Sequence, residues 1–354
     1  MTPAPGIATL VKQAAKDAGF ELAGIAPVRD FPELDSFSRW IAAGHAGEMQ
    51  YLEKRDDAGN LKRSSLRRAV PWGQSVIVCA INYNTAHPYS TQTQDADRGW
   101  ISRYAWSQED YHEAVLRRLH LVETRLREIA GEAALQTLCY VDTGPVVERV
   151  YAKYAGVGWI GKNTCILNQQ LGSWLFLGVI ITSLELTPDL PAPDRCGTCT
   201  RCIDACPTDA LIAPYQLDSK RCISYLTIEK RGDIPQDMRE GLGRHVFGCD
   251  ICQDVCPWNR KAPATSAPEF QPREGLINPA LEWLAEITAE DFRDTFRGSP
   301  IRRAKRTGLR RNAVIAMGNS GNQRFVPVLE KLAADDDPVV TKHAKWAASK
   351  LATS

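Results

Sequence analysis

The spacing of apolar and polar positions predicts alternating helices and strands over about the first 190 residues. Residues 7–20, IATLVKQAAKDAGF, repeat apolar side chains at helical intervals, and we expect helical structure to about residue 70. Residues 109–131 show the same spacing, with Glu and Arg on the other face. Three short, apolar and β-branched runs predict strands at 75–84, 137–143 and 173–182. The pattern therefore predicts one α/β or α+β domain.

Proline-rich segments at 186–195 and 261–272 divide the rest of the chain. They predict three domains, at 1–190, 191–262 and 263–354, of which the last is helical. Its stretch DDDPVVTK combines acidic residues with a proline, which is typical of a helix start. LRRNAVIAMG and VTKHAKWAAS superimpose at a shift of 31 residues. This match predicts either a HEAT-like repeat or a plain helical hairpin.

Composition and charge place the chain among ordinary globular proteins. Hydrophobic residues make up 44% of its 354 positions and charged residues 24%, and the mean hydropathy is -0.29. The formal net charge of +1 gives no molecule-wide attraction to nucleic acid or membrane, so any electrostatic contact must be local. We find no signal peptide, no twin arginine and no apolar run long enough for a membrane span. The sequence therefore predicts a cytoplasmic protein without membrane contact.

Eight of the eleven cysteines fall into two groups with metal-ligand spacing. CGTCTRCIDACP begins at Cys196, and CDICQDVCP begins at Cys249, with Cys222 lying 27 positions before it. In a reducing cytoplasm such clusters favour metal ligands over disulfides. In bacterial two-cluster ferredoxins, the cysteine before the proline of each run binds the other four-iron cluster. This rule assigns Cys196, Cys199, Cys202 and Cys256 to the first cluster and Cys206, Cys222, Cys249 and Cys252 to the second.

Zinc is the alternative ligand for these cysteines, because CxxC pairs also bind zinc. A zinc ribbon needs neither the third cysteine of CxxCxxC nor the two Cys-Pro endings, so the pattern favours iron–sulfur clusters. Cys79, Cys139 and Cys165 lie in or near apolar strands and are expected to be core residues.

The first 190 residues contain no GxGxxG dinucleotide motif and no phosphate-binding P-loop. GVGWIGKN at 156–163 is glycine-rich and indicates only close backbone packing. Several segments, in this order, resemble the epoxyqueuosine reductase family: ISRYA at 101–105, DYH at 110–112, VDTGPVVER at 141–149, AGVGWIGKNT at 155–164, GSWLFLGVIIT at 172–182, both cysteine groups, TIEKRG at 227–232 and GLRRNAVIAMGN at 308–319.

The resemblance implies a cobalamin-dependent iron–sulfur enzyme that removes the epoxide oxygen of epoxyqueuosine in tRNA and gives queuosine. It implies an external electron donor of the ferredoxin or flavodoxin type, and we expect a monomer. In this family no histidine ligates the cobalamin, and DYHEAV lacks the glycine of the histidine-ligating DxHxxG pattern. Two alternatives stay open: a cytoplasmic dehalogenase-like reductase of a small molecule, and an electron carrier or RNA-binding module without catalysis.

The resemblance also implies roles for particular residues. Asp142 is expected to be the proton donor and to be a buried carboxyl group with a raised pKa. The cobalamin contacts that it implies are Ala105, Asp142, Ile166, Leu167, Asn168, Ser173 and Ser224. Ala105 stands where some relatives carry a cysteine, so an essential thiol is not expected there. The loop at 62–74 departs from the family pattern, and the contacts expected from it do not carry over.

A basic run at 301–311, IRRAKRTGLRR, is the predicted tRNA contact. Such a run is often a solvated face, although arginine and lysine clusters also neutralise phosphates. The residues proposed to contact tRNA are Arg302, Arg303, Lys305, Arg306, Arg310 and Arg311, together with Lys230 and Arg231 between the cluster ligands. Single-stranded RNA presents the modified base in an accessible form, so base-specific recognition is expected in the anticodon loop.

Overall fold

The computed structural model describes residues 6–131 and 135–353, which form two compact units. The first unit contains the chain up to Asn84, Tyr111–Cys199 and Pro257–Glu269, and the second contains Thr85–Asp110, Thr200–Cys256 and the chain from Phe270 onward. The α-helices are α1 (Ile7–Asp17), α2 (Pro32–Ala42), α3 (Leu66–Ala69), α4 (Tyr111–Ala130), α5 (Glu148–Tyr154), α6 (Arg201–Asp204), α7 (Ile223–Ile228), α8 (Gln236–Arg239), α9 (Ile251–Asp254), α10 (Leu281–Glu286), α11 (Ala289–Thr295), α12 (Lys305–Asn319), α13 (Val326–Leu332) and α14 (Pro338–Ala352). The β-strands are β1 (Leu22–Pro27), β2 (Ser75–Asn82), β3 (Trp100–Ile101), β4 (Thr137–Tyr140), β5 (Trp159–Ile160), β6 (Ile166–Leu167), β7 (Leu175–Thr182), β8 (Leu211–Ala213), β9 (Gln216–Leu217) and β10 (His245–Phe247).

A four-stranded sheet in the order β1-β2-β7-β4 forms the centre of the first unit. Every neighbouring pair is antiparallel, and every residue of β2 is buried. Helix α4 lies close on β7, because a Cβ atom at Gly178 would be only 2.8 Å from Leu119 Cδ1. The strands predicted at 75–84, 137–143 and 173–182 are confirmed, as are helices α1 and α4. The antiparallel order makes this unit α+β rather than a parallel α/β fold.

Strand β1 was not predicted, and the expectation of helix to about residue 70 is wrong there. Its sequence, LAGIAP, is short and contains both glycine and proline, which weaken a strand signal. It forms because it pairs along its whole length with β2. A Cβ atom at Gly24 would be 1.9 Å from the carbonyl oxygen of Ala155, so only glycine fits at this approach.

The second unit contains most of the cysteines and the C-terminal helices. Its core joins the parallel pair β3 and β10 to apolar side chains of α10, α12, α13 and α14. Helix α14 begins after Asp337, whose carboxylate accepts hydrogen bonds from the N–H groups of Val339 and Val340, as the acidic and proline pattern predicted. A Cβ atom at Gly318 would be 2.8 Å from Ala347 Cβ, so this glycine lets α12 and α14 approach closely. A HEAT-type repeat remains a prediction.

The three domains predicted from the sequence were defined by the cofactor or RNA that each is expected to bind. This division also remains a prediction. The two units of the structure divide the chain at other positions, because residues 85–110 belong to the second unit. In the part of the chain that the structure describes, no helix is both long and apolar enough to cross a membrane.

Candidate active site

The cysteines of both groups form no disulfides, and two of them lie in short helices. Cys202 lies in α6 and Cys252 in α9, and these two helices pack against each other. The N–H group of Ala210 donates a hydrogen bond of 3.3 Å to Cys206 Sγ. Hydrogen bonds of this kind to the sulfur atoms tune the potential of an iron–sulfur cluster.

Three of the four ligands predicted for the second cluster lie close together in the second unit. Burial raises the pKa of Cys249 well above its ordinary value, and the neighbouring thiols of Cys222 and Cys206 raise it further. Such a set of thiols binds a metal as thiolates. For the first cluster, Cys202 and Cys256 belong to the second unit, while Cys196 and Cys199 end a segment of the first.

A buried carboxylate next to Cys249 fixes the ISRYA segment. Asp250 accepts hydrogen bonds from Trp100 Nε1 at 3.1 Å, from the backbone N–H of Arg103 at 2.8 Å and from the Ser102 hydroxyl. The Arg103 guanidinium in turn donates to the carbonyl oxygens of residues 85, 87 and 88. The sequence assigned Asp250 no role, although its position between two predicted cysteine ligands was visible.

The loop after β4 places Asp142 in an unusual backbone conformation. Its φ angle is 58°, in the left-handed region that few residues other than glycine adopt. Asp142 Oδ2 accepts a hydrogen bond of 3.2 Å from the Tyr111 hydroxyl, and Arg63 donates to its backbone carbonyl at 3.5 Å. A Cβ atom at Gly144 would be 2.5 Å from the Tyr140 ring, so this position of the turn requires glycine. The turn therefore holds the carboxylate against Tyr111.

Asp142 is exposed, so the expectation of a buried carboxyl group at this position is wrong. The strand ends at Tyr140, and the turn that follows lies at the surface. The buried carboxyl group of this segment is Glu148, the first residue of α5, which is 9% exposed. Burial, and then the negative charge of Asp142, raise the pKa of Glu148 to about 7. The signal that identifies it is burial in the folded chain, which the sequence does not show.

Stacked aromatic rings position Tyr111. Its ring lies parallel to Phe176, with centroids 4.5 Å apart and an interplanar angle of 4°, and Phe176 stacks on Tyr83 at 4.3 Å. The family motif DYH contains Tyr111, but its hydrogen bond to Asp142 could not be predicted from the motif.

Four of the predicted cobalamin contacts lie on or beside the β5–β6 hairpin of the first unit. A Cβ atom at Gly158 would be 2.3 Å from the carbonyl oxygen of Leu167, so this glycine of GVGWIGKN allows close packing within the hairpin. Asn168 Nδ2 donates to the carbonyl oxygen of Val157 at 2.8 Å. The backbone N–H of Ser173 donates to Asn259 Oδ1 at 2.7 Å. Ile166, Leu167 and Ser173 are buried, whereas Asn168 is half-buried.

The remaining two predicted contacts lie in the second unit. Ser224 is half-buried in α7, whereas Ala105 is fully buried in the apolar core. The Ala105 methyl group therefore packs against protein side chains, which corrects its assignment as a cofactor contact.

The basic run divides into exposed and buried residues. Arg302 and Lys305 are exposed, and Arg303 is half-exposed with an ion pair of 2.9 Å to Glu229. Arg306 is half-buried and donates to the carbonyl oxygen of Ile287. Between the predicted cluster ligands, Lys230 is half-buried, while Arg231 is exposed and donates to the carbonyl oxygens of residues 303 and 304.

Arg310 and Arg311 are 4% and 1% exposed, and both are used inside the fold. Arg310 forms an ion pair of 2.6 Å with Asp335, and Arg311 donates to backbone carbonyl groups of residues 226, 230 and 232. Their burial corrects the prediction that they contact tRNA phosphates.

Two family models and a relative of known name match this chain. The family model "4Fe-4S double cluster binding domain" matches residues 195–259, and the model "Epoxyqueuosine reductase QueG, DUF1730" matches residues 63–143. An epoxyqueuosine reductase of Synechocystis sp. is 44% identical over 295 residues, which cover 82% of this chain and 98% of the relative.

Two solved structures have the same fold over almost the whole chain. One is an epoxyqueuosine reductase with an epoxyqueuosine-modified tRNA-Tyr stem loop, at a TM-score of 0.86 and 30% identity, covering 98% of this chain and 91% of that one. The other, from Bacillus subtilis, has its catalytic aspartate loop swung out of the active site, with a TM-score of 0.86, 30% identity, and 98% and 91% coverage.

Proposed function

The chain belongs to the epoxyqueuosine reductase family, and on that premise we propose that it reduces the epoxide of epoxyqueuosine in tRNA to the alkene of queuosine. The observation that carries the proposal is the whole-chain match to a structure that holds an epoxyqueuosine-modified tRNA stem loop. This match favours RNA over a small-molecule substrate. The protein is accordingly an oxidoreductase.

The thiol chemistry fits two four-iron clusters. Eight cysteines that form no disulfides stand in the double-cluster pattern, and the family model for such a domain spans them. We assign Cys196, Cys199, Cys202 and Cys256 to one cluster and Cys206, Cys222, Cys249 and Cys252 to the other. An external low-potential donor of the ferredoxin or flavodoxin type would supply their electrons, and the enzyme is proposed to act as a monomer.

The first unit has features that fit cobalamin. Glu148 Oε1 and Trp159 Nε1 are buried and have no hydrogen-bond partner among the described residues. The corrin ring carries amide groups that pair with such atoms. Asp142, Ile166, Leu167, Asn168 and Ser173 are the proposed contacts in this unit, and Ser224 is proposed in the other. When bound, cobalamin would supply a redox-active cobalt centre for reductive cleavage of the epoxide.

Asp142 is the proposed proton donor. Conversion of an epoxide to an alkene and water consumes two electrons and two protons, and the oxygen must be protonated as its bonds to carbon break. The left-handed turn exposes the Asp142 carboxyl group, which can therefore reach a substrate oxygen. The Tyr111 hydroxyl orients this carboxyl group through the hydrogen bond of 3.2 Å.

Exposed basic residues are the proposed contacts to tRNA phosphates. Arg302, Lys305 and Arg231 have guanidinium or ammonium groups at the surface, and Arg303, Arg306 and Lys230 are partly accessible. Phosphate contacts of this kind supply affinity and orientation and carry little sequence information. The modified base would be splayed out of the anticodon loop for reaction.

Anaerobic reconstitution with iron, sulfide and cobalamin, followed by nucleoside analysis of epoxyqueuosine-containing tRNA, tests the function. We expect wild-type protein to form queuosine and Asp142→Asn to lower the rate by about 100-fold or more, the contribution of a general acid. Asp57→Asn is the matched control, because Asp57 is an exposed aspartate of the same unit. Full turnover by Asp142→Asn with both cofactor types bound would remove Asp142 from the mechanism.

A further inference from the structure

A group of side chains that the proposed reaction does not use combines three kinds of metal ligand. His120 and Glu123 lie at i and i+3 on α4, and Cys139 lies on β4. The sequence predicted Cys139 to be a core residue, but β4 is an edge strand of the sheet, and Cys139 is half-buried there. The side chain of His120 is 57% exposed, so an ion from solvent can reach the group.

One carboxylate oxygen of Glu123 contacts both of the other ligand atoms. Oε2 lies 2.9 Å from His120 Nδ1 and 3.6 Å from Cys139 Sγ, and all three ligand atoms lie within 4.8 Å of one another. Zinc bonds of about 2.0–2.3 Å in tetrahedral directions separate the ligand atoms by about 3.4–3.7 Å. Side-chain shifts of about 1 Å or less would therefore bring the three atoms to bonding distance of one zinc ion.

The other oxygen of Glu123 is held by hydrogen bonds. Arg127 Nη2 donates to Oε1 at 3.0 Å, and the Thr137 hydroxyl donates to the same atom. Carboxylates that bind metals are oriented by hydrogen bonds of this kind, which fix one oxygen and leave the other for the ion. Oε2 therefore remains for His120 and Cys139.

We propose that His120 Nδ1, Glu123 Oε2 and Cys139 Sγ bind one zinc ion, with water as its fourth ligand. Nitrogen, oxygen and sulfur are the atoms that zinc takes as ligands, and three protein ligands with one water is a known zinc arrangement. Calcium and magnesium prefer sets of oxygen ligands, which this group does not offer. On binding, the thiol proton of Cys139 passes to solvent, and the His120 ring keeps its proton on Nε2.

The charges of the group fit a divalent ion. Burial, and then the negative charge of Glu123, raise the pKa of the Cys139 thiol, so the thiol keeps its proton until a cation binds. A bound dication stabilises the thiolate directly. One carboxylate and one thiolate then neutralise the two positive charges of zinc, so the neighbouring guanidinium group of Arg127 meets no net charge.

The group joins two elements that also carry the proposed acid. Tyr111 begins α4, and Asp142 follows the end of β4. A zinc ion would connect β4 to α4 and stabilise the first unit, because an ion that binds the folded state opposes unfolding. This inference goes beyond the proposed function and does not rest on it.

Zinc binding to the full chain tests the site, after anaerobic reconstitution of both iron–sulfur clusters so that iron occupies the eight proposed cluster cysteines. We expect equilibrium dialysis to give one zinc ion per chain. X-ray absorption at the zinc edge should show one sulfur neighbour at about 2.3 Å and nitrogen or oxygen neighbours at about 2.0–2.2 Å. His120→Gln and Cys139→Ser should each weaken zinc affinity by about 100-fold or more, since even groups that orient a ligand contribute about 10–100-fold.

Two further variants separate ligation from a general effect on the fold. Thr137→Val removes the hydrogen bond to Glu123 Oε1 and should weaken zinc affinity by about 10-fold. Glu128→Gln is the matched control, because Glu128 is an exposed carboxylate of the same helix, and it should keep wild-type affinity. Wild type that binds no zinc, His120→Gln that binds it as wild type does, or more than one sulfur neighbour would overturn the inference. None of these measurements uses queuosine formation, so failure of the proposed function is a separate result.

Discussion

Arg311 is expected to stabilise the second unit rather than to bind tRNA, and Arg311→Met tests this. Its Nη1 atom donates to the carbonyl oxygens of Lys230 at 3.0 Å and Gly232 at 2.7 Å, and its Nη2 atom donates to that of Leu226 at 2.9 Å. Nε and Nη2 also donate to Asn312 Oδ1 at 3.0 and 2.8 Å. The guanidinium group therefore holds residues 226–232 in place, and these residues follow Cys222, a proposed cluster ligand.

The magnitude follows from these bonds. A hydrogen bond from a charged donor contributes about 1.5–3 kcal/mol to stability. Arg311 donates to three backbone carbonyl groups. After the substitution, water can reach the carbonyl group of Gly232, because Gly232 is exposed. We therefore expect the free energy of unfolding to fall by about 3–5 kcal/mol, a large part of the roughly 5–15 kcal/mol typical of a domain. Denaturant midpoints would measure the loss, and amide exchange should increase at 226–232.

Arg302→Met is the matched control, since Arg302 is exposed in the same basic run. Its stability should stay within about 0.5 kcal/mol of wild type, while its affinity for tRNA falls and depends less steeply on salt. If Arg311→Met kept wild-type stability and lost tRNA affinity as Arg302→Met does, the burial argument for Arg311 would be refuted.

Three further predictions concern the active site and the clusters. Tyr111→Phe keeps the aromatic stack but loses the hydrogen bond to Asp142, so kcat should fall by about tenfold with tRNA affinity unchanged; an unaltered kcat would contradict this. Cys206→Ala should lower the iron content by about half, whereas Cys79→Ala, in the apolar core, should retain all iron; equal iron in both would exclude Cys206 as a ligand. The pKa of Glu148 is raised from 4.5 to about 7, so the stability that this group contributes is complete below about pH 4.5 and is lost as the pH rises through 7. Relative to Glu148→Gln, wild type should lose up to about 3 kcal/mol between acidic and mildly alkaline pH, and parallel stability profiles for the two proteins would show that Glu148 does not titrate there.

The regular elements and the cysteine pattern could be predicted because their signals are local. Strand β2 is an uninterrupted apolar run, and α14 begins at an aspartate and a proline. Strand β1 could not be predicted, because its sequence is weakly strand-like and its pairing with β2 joins segments about 50 residues apart. The antiparallel order of the sheet is likewise set by contacts between distant segments.

The basic run shows why charge alone did not locate the tRNA contacts. In an exposed helix, two successive arginines would reach solvent, but eleven residues of α12 are buried. This helix packs against α7, α10, α14 and β10, all within the second unit. Arg310 and Arg311 therefore satisfy a carboxylate and backbone carbonyl groups, and the solvated part of the run lies near its start.

The acid chemistry shows a similar division. The sequence predicted that the Asp142 carboxyl group would be buried and would also reach the substrate, but a side chain that opens to solvent is not buried. In the structure Asp142 is exposed, and Glu148 is buried with a pKa of about 7. The VDTGPVVER segment therefore carries two carboxyl groups in different surroundings, one exposed at the turn and one buried at the start of α5.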